Sequence, residues 1–325
     1  MRYGTNVLGA SAFAVAAFVM SAALAVAAEW QPSEPITLVS QSSPGTGNDL
    51  LLRELAKIWT KNSLVPVSVT NENVTGAQGE NARRYVSSEN SGNPHMLYAY
   101  TPGTINQTIL SNSEFTWEKF TPIVNLVSDP SVVVVNAESS FKSVADLVAA
   151  AKENPGSVIQ GGGPYGGGGS IGGRMIADVG GVELPYTPFK GGGEAVTALL
   201  GNHIQFIWEN PAEVRPYVEA GQLRVIGATE KLAIWPDVPT LDEGGYNIAI
   251  GEFRIIVAPP GIPQEAQQYY IDLMKRTVET AEWQEYVAKN ALVPDWIEGE
   301  DVLNYLRKLA VAYREIDEKM GLLKQ

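Results

Sequence analysis

The 325-residue chain contains no cysteine and only two histidines, His95 and His203. Disulfides, a lipid-modified cysteine, thiolate catalysis and cysteine metal sites are therefore excluded, and two isolated histidines make no zinc constellation. Basic residues are scarce: 23 Lys and Arg face 36 Asp and Glu, a net charge of −13. Such a chain offers nucleic acid no surface for counterion release, so no nucleic-acid partner is expected. The same charge repels small anions at a distance, but that field fades over about 8 Å at physiological salt, and local groups in a cleft can override it. A phosphate-binding Walker motif is also missing, since no Gly-Lys-Ser/Thr follows either glycine loop described below. Neither a metal nor a cofactor is expected.

The one long apolar run stands at the start. Arg2 precedes an uncharged stretch over residues 3–28 that closes on Ala25-Val26-Ala27-Ala28 before Glu29-Trp30. A basic start, an apolar middle and small residues at the exit are the parts of a secretory signal peptide, with cleavage after Ala27 or Ala28. The run is long enough to span a bilayer, but alanine dominates it and no aromatic or basic belt follows, so residues 1–28 are expected to be removed and the protein to be soluble in the periplasm. The roughly 300 remaining residues exceed the usual size of a single core, and two lobes are the natural expectation.

Along the mature chain, short strands alternate with helices. Strands are predicted over 36–40, 65–70, 96–100, 132–135, 157–160, 204–208, 224–228 and 253–258, the run 132–135 being β-branched enough to be buried on both sides. Helices open at Asp49, after a Ser143/Asp146 capping box, and over 194–200, 264–290 and 301–320. Strands separated by helices predict parallel sheets with helices on both faces.

Two strand–loop–helix units carry the chemistry. The first loop is Ser42-Ser43-Pro44-Gly45-Thr46-Gly47-Asn48, and the second runs from Gly161 through Pro164, Tyr165, Gly166, Gly167, Gly168 and Gly169 to Ser170. A loop at the carboxyl edge of a sheet that opens a helix presents unpaired N–H groups and the positive end of the helix dipole, which together hold an anion. Hydroxyls and amides of Ser42, Ser43, Thr46 and Asn48, and of Tyr165 and Ser170, add donors. One glycine loop alone is as well read as a tight turn; two of the same form on successive lobes point to ligand binding. Gly168-Gly169-Ser170-Ile171-Gly172 also fits the Gly-x-Ser-x-Gly elbow of a serine hydrolase. Only His203 follows Ser170, however, and most of the sheet elements still lie ahead of it, so catalytic residues are not expected.

At these residues the sequence resembles the extracytoplasmic solute receptors of tripartite tricarboxylate transporters, also called Bordetella-uptake-type receptors. The resemblance rests on the Gly47-Asn48-Asp49 turn, Asn71 with the following Gly76-Ala77-Gln78-Gly79, and Pro188-Phe189-Lys190-Gly191. It continues through Ala220-Gly221-Gln222-Leu223-Arg224, Pro236-Asp237-Val238-Pro239-Thr240 and Ala258-Pro259-Pro260-Gly261. It implies an α/β type II periplasmic-binding-protein fold with two α/β lobes around a ligand cleft. The first lobe would comprise 29–130 with a return of about 250–325, and the second 131–249. It also implies a monomeric receptor that gives a small carboxylate to membrane permease subunits, or alternatively reports it to a sensor kinase. Carried over by position, the ligand contacts would be Ser43, Gly45, Thr46, Gly47 and Asn48 from one lobe and Gly166 to Ser170 from the other, with Thr101, Thr104 and Asn106 lining the cleft. Departures from the family pattern, Gly172-Gly173-Arg174 and Phe253-Arg254, bring in Arg174 and Arg254, either of which could meet a second carboxylate.

Overall fold

The computed structural model describes residues 30–163, 168–246, 248, 252–319 and 321–323. The leader over residues 1–28 lies outside the described residues. From the amino end, β1 (Ile36–Ser40), α1 (Gly47–Lys61), β2 (Val69–Asn73), α2 (Glu80–Arg84), β3 (Met96–Tyr100), α3 (Pro102–Ser111) and β4 (Thr121–Asp129) build the first lobe. The chain then crosses to the second: β5 (Val132–Asn136), α4 (Val144–Glu153), β6 (Gln160–Gly162), α5 (Gly168–Gly180), β7 (Tyr186–Pro188), α6 (Gly192–Leu200), β8 (Phe206–Glu209), α7 (Pro211–Glu219) and β9 (Leu223–Ala228). It returns with β10 (Glu252–Ala258), α8 (Gln264–Val278), α9 (Ala281–Lys289), β11 (Val293–Glu298) and α10 (Glu300–Lys319).

The strands form a six-stranded sheet, ordered β11-β4-β10-β3-β1-β2, and a five-stranded sheet, ordered β7-β6-β8-β5-β9. Both sheets are mixed rather than parallel. Strand β10 is antiparallel to β3 and β4, and β5 is antiparallel to β8 and β9. The reason is the crossing: β4 runs into β5 with no helix between them, so β5 enters its sheet from the edge toward which its neighbours run. Strands β4 and β11 escape the hydrophobic pattern. Strand β4 carries a buried Asn125 in its middle, whose Nδ2 donates to the Asp295 carbonyl at 2.7 Å. The predicted helix over 264–290 is two helices, because Thr280 stops the first and caps the second by accepting from the Trp283 N–H at 3.3 Å. Strand β2 sits later than the predicted 65–70, and β6 later than 157–160.

Each sheet is covered on both faces, as period-two alternation of apolar residues requires. In the first lobe Leu38 and Ile256 join Trp59 and Tyr270 on one side, while Val39 and Ile255 join Tyr98, Val302 and Tyr313 on the other. In the second, Val133 and Val135 face Leu147 and Ile176, and Val132 and Val134 face Val196 and Leu199. One side chain breaks the separation. Ile171, in the first turn of α5, is 2 % exposed and belongs to the first-lobe cluster of Val39, Tyr98, Tyr100 and Phe253. The lobes therefore meet through an apolar contact at the end of α5.

Helix α5 lies so close to its sheet that side chains are excluded from two positions. A Cβ on Gly172 would fall 2.2 Å from the Trp208 ring, and one on Gly173 would fall 1.7 Å from Gln160 Oε1. Gly193, in the first turn of α6, has nothing within 4 Å of the same point. Gly172→Ala is expected to destabilise the protein by about 1 to 3 kcal/mol through overpacking. Gly193→Ala is expected to be neutral or to stabilise by up to about 1 kcal/mol. Urea midpoints at constant slope measure both; equal effects would contradict the packing argument.

Candidate functional site

Strands β1, β3 and β4 run in one direction and end at the edge where the chain leaves the first lobe. Strands β6, β8 and β9 likewise end at the edge where β5 enters the second. The loops after β1 and β3 and those after β6 and β8 consequently border the interlobe crossing from its two sides. This is where an open α/β sheet presents a ligand site.

The first loop is shaped by a buried carboxylate. Asp49 is 2 % exposed. Its Oδ2 accepts from the Gly45 N–H and from Arg53 Nε, both at 2.8 Å, and its Oδ1 accepts from Asn73 Nδ2 at 2.9 Å. Asn73 also donates to the Ser42 carbonyl at 2.9 Å. Gly45 takes φ +87°, the left-handed region that favours glycine, and Thr46 Oγ1 donates to the Ser43 carbonyl at 2.8 Å. Ser43, Gly45, Thr46 and Gly47 are left exposed, and Asn48 is buried. The Gly45 and Thr46 N–H groups are used within the loop, by Asp49 and by the Ser43 carbonyl, whereas the N–H groups in the first turn of α1, from Gly47 on, have no intrahelical acceptor.

Arg254, near the start of β10, reaches this loop. Its Nη1 donates to Asn48 Oδ1 at 3.1 Å, and a Cβ on Gly47 would lie 2.6 Å from its Nη2. The guanidinium also forms an ion pair with Asp129, the last residue of β4. Arg174, by contrast, pairs with Asp178 one turn along α5 at 2.7 Å, and both are partly exposed.

The third stretch turns inward. Thr101 caps α3 in a box with Thr104, their hydroxyls 3.2 Å apart, and the two are 7 % and 0 % exposed. Asn106 is 2 % exposed, and Asp317 of α10 beside it is fully buried, which lifts its carboxyl to about 6. In the second lobe, Tyr165, Gly166 and Gly167 lie outside the described residues. Gly168 opens α5, the Gly169 carbonyl accepts from Gln160 Nε2 at 2.6 Å, and Ser170 is buried at 4 %. Ser170, Gln160, Arg174 and Tyr186 border a cavity of about 420 Å³ whose lining comes from the second lobe alone.

Sequence reasoning passed over three groups at the crossing: Asp129, Glu209 and Asn210. Glu209 ends β8; burial, together with the charge of Glu213, holds its carboxyl above the ordinary carboxylate range. Asn210 caps α7 by position but makes no side-chain cap bond, and its Nδ2 donates to Asp129 Oδ1 at 2.8 Å. For Glu209 and Asn210 the available signal was a strand ending in polar residues just before a helix; Asp129, which leads into another strand, offered none. The hydrolase geometry does not arise: Ser170 stands at the carboxyl side of β6, whereas His203 precedes the parallel β8 and so stands at the opposite edge. Among the described residues no three His, Asp or Glu side chains form a metal cluster.

Residues 53–322 match the model of a family described as the tripartite tricarboxylate transporter family receptor. Among solved structures, the chain is similar to a TctC solute binding protein from Polaromonas, with 26 % identity and a TM-score of 0.79. That alignment covers 89 % of this chain and 99 % of the other. A Rhodopseudomonas palustris protein solved with adipate, Rpa4515, is 20 % identical with a TM-score of 0.73, over 89 % and 98 % of the two chains. MatC from the same species, solved with malate, is 17 % identical with a TM-score of 0.69, over 88 % and 99 %.

The Asp49 anchor carries a pH signature. Its hydrogen bond with Arg53 leads the causes that bring its pKa down from 3.8 to about 2. A carboxylate with a depressed folded-state pKa contributes stability that is complete above its unfolded value and is lost as pH falls through the folded value. Asp49→Asn is expected to cost roughly 2 kcal/mol at pH 7. Denaturant melts from pH 7 to pH 2 should show the wild type and the variant converging between about pH 4 and pH 2.

Proposed function

The chain belongs to the tripartite tricarboxylate transporter receptor family, whose members are solute-binding receptors and not enzymes, and from that premise we propose that it captures a small organic carboxylate between its lobes and passes it to membrane permease subunits. The observation that carries this reading is the placement of the α1 and α5 N-termini, one from each lobe, beside a single crossing. Two helix N-termini supply N–H donors and positive dipole ends for an anion. Ser43, Gly45, Thr46, Gly47 and Asn48 hold it from the first lobe. Tyr165, Gly166, Gly167, Gly168, Gly169 and Ser170 hold it from the second. Arg254 adds positive charge behind the first loop, while Thr101, Thr104 and Asn106 act through the cap and packing of α3. Malate and adipate, the ligands of the two Rhodopseudomonas palustris structures, make dicarboxylates the first class to test, ahead of tri- and aromatic carboxylates. The protein works as a monomer in the periplasm once residues 1–28 are cleaved. Among the described residues no helix is long and apolar enough to cross a membrane.

Closure follows from the same arrangement. Half of the proposed donors stand on each lobe, so the ligand favours the state in which both halves touch it. A carboxylate present at 100 times its dissociation constant adds about 2.7 kcal/mol, a rise in melting temperature of about 4 °C for a chain of this size. A thermal-shift screen of mono-, di- and tricarboxylates tests the reading, and a flat response to every one rejects it. For the best ligand, Ser43→Ala and Ser170→Ala are each expected to weaken binding by about 1.5 to 3 kcal/mol, the value of a hydrogen bond to a charged group. Calorimetry decides. A loss confined to one lobe would place the carboxylate on that lobe alone.

A further inference from the structure

The crossing between the lobes is laced by side chains. The Thr229 N–H donates to the Ser131 carbonyl and the Ser131 N–H to Thr229 Oγ1, both at 2.9 Å. Ser128 hydrogen-bonds to Glu230 beside them. Asp129 lies in the middle of this lacing and is 4 % exposed. Its two oxygens are divided between the lobes: Oδ2 pairs with Arg254 of β10, and Oδ1 accepts from Asn210 Nδ2 at 2.8 Å. Arg254 extends the chain of contacts to Asn48 Oδ1 in the first loop at 3.1 Å. The series Asn48, Arg254, Asp129, Asn210 thus joins the loop after β1 to the helix after β8 through one carboxylate.

Two features mark this series as more than a packing solution. An asparagine at a helix N-cap ordinarily accepts from the N–H two or three residues on. Asn210 forgoes that bond and donates instead to Asp129 and to the Pro130 carbonyl at 3.2 Å. Arg254 is a cation lying against the positive end of α1, an arrangement that the helix dipole opposes and that the nearby Asp129 carboxylate offsets. The close approach is also tight at position 47, where a Cβ would come within 2.6 Å of the guanidinium and displace it.

We propose that Asp129 is a positioning residue that couples the first ligand-binding loop to the orientation of the second lobe. The proposal rests on the receptor reading of the same cleft. When the second lobe turns about the crossing, Asn210 moves relative to the end of β4. Its hold on Asp129 then tightens or loosens, and with it the seating of Arg254 on Asn48. A ligand that fixes the first loop is felt at the second lobe through the same contacts.

The test uses the mature protein, Asn210→Ala, Asp129→Asn, and the exchanged pair Asp129→Asn with Asn210→Asp, which rebuilds a carboxylate–amide contact with the roles reversed. Small-angle scattering without ligand should give a larger radius of gyration for each single variant and a return toward the wild-type value for the exchanged pair. Titration with malate and with adipate should show each single variant at least about fivefold weaker, the lower end of ordinary coupling between sites. Single variants that melt earlier yet keep the wild-type radius and affinity would overturn the proposal, as would an exchanged pair whose radius is no closer to wild type than those of the singles; its affinity stays low, because Arg254 no longer meets a carboxylate at position 129. If the wild type binds neither acid, that result counts against the carboxylate reading. The ligand-free scattering still decides the coupling.

Discussion

The chain leaves its first sheet at Asp129 and enters its second at Val132, and those few residues govern the rest of the architecture. Because β4 is parallel to β1 and β3 through their shared antiparallel partner β10, every loop that follows one of these strands is delivered to the crossing. Because β5 starts there and is antiparallel to β8 and β9, the second lobe turns its own carboxyl edges toward the same place. A connection with a helix in it would have inserted β5 in the other direction and sent those loops to the far edge. Pro130 suits the position, since a residue lacking an N–H cannot add to either ladder.

On the proposed reading, an anion site on a chain with a net charge of −13 has to be made locally. The means available are helix N-termini and one arginine, and each needs its own acidic neighbour kept in order. Asp49 stands in the first turn of α1, but its two oxygens are engaged by Gly45, Arg53 and Asn73, so it shapes the loop from behind. Asp129 is engaged by Arg254 and Asn210 in the same way. Buried carboxylates are costly unless paired, and here the pairing itself fixes the backbone whose N–H groups face the cleft. The long-range repulsion between protein and ligand is screened over about 8 Å, whereas these contacts act at hydrogen-bond distance.

Where a residue pattern reported local physics, the sequence was a sufficient guide. The β-branched run of β5 is buried on both faces, the Ser143/Asp146 box caps α4, and the first glycine loop opens a helix at the carboxyl end of β1. Strand direction was not legible, because hydrophobic alternation is the same for a strand traversed either way. The roles of Asp129 and Asn210 were hidden for a related reason. Their partners are 125 and 81 residues away in the chain, and nothing at positions 129 or 210 alone distinguishes a coupling residue from a strand end or a helix cap. Thr101, Thr104 and Asn106 show the converse. The sequence reads these polar residues as lining the cleft; the structure buries all three, with Thr101 and Thr104 joined in the cap of α3.

The glycines of the second loop separate into two kinds once the helix is in place. Gly172 and Gly173 let α5 approach Trp208 and Gln160, and any side chain there would meet an atom well inside contact distance. That approach sets the position of Ser170 and of Ile171, which follow directly after the loop and are both buried, the first beside the cavity along α5 and the second in the core of the opposite lobe. The Gly-x-Ser-x-Gly pattern is thus a by-product of close packing: its last glycine serves the helix–sheet contact. The same packing brings the α5 N-terminus, and with it the positive end of the helix dipole, to the crossing between the lobes.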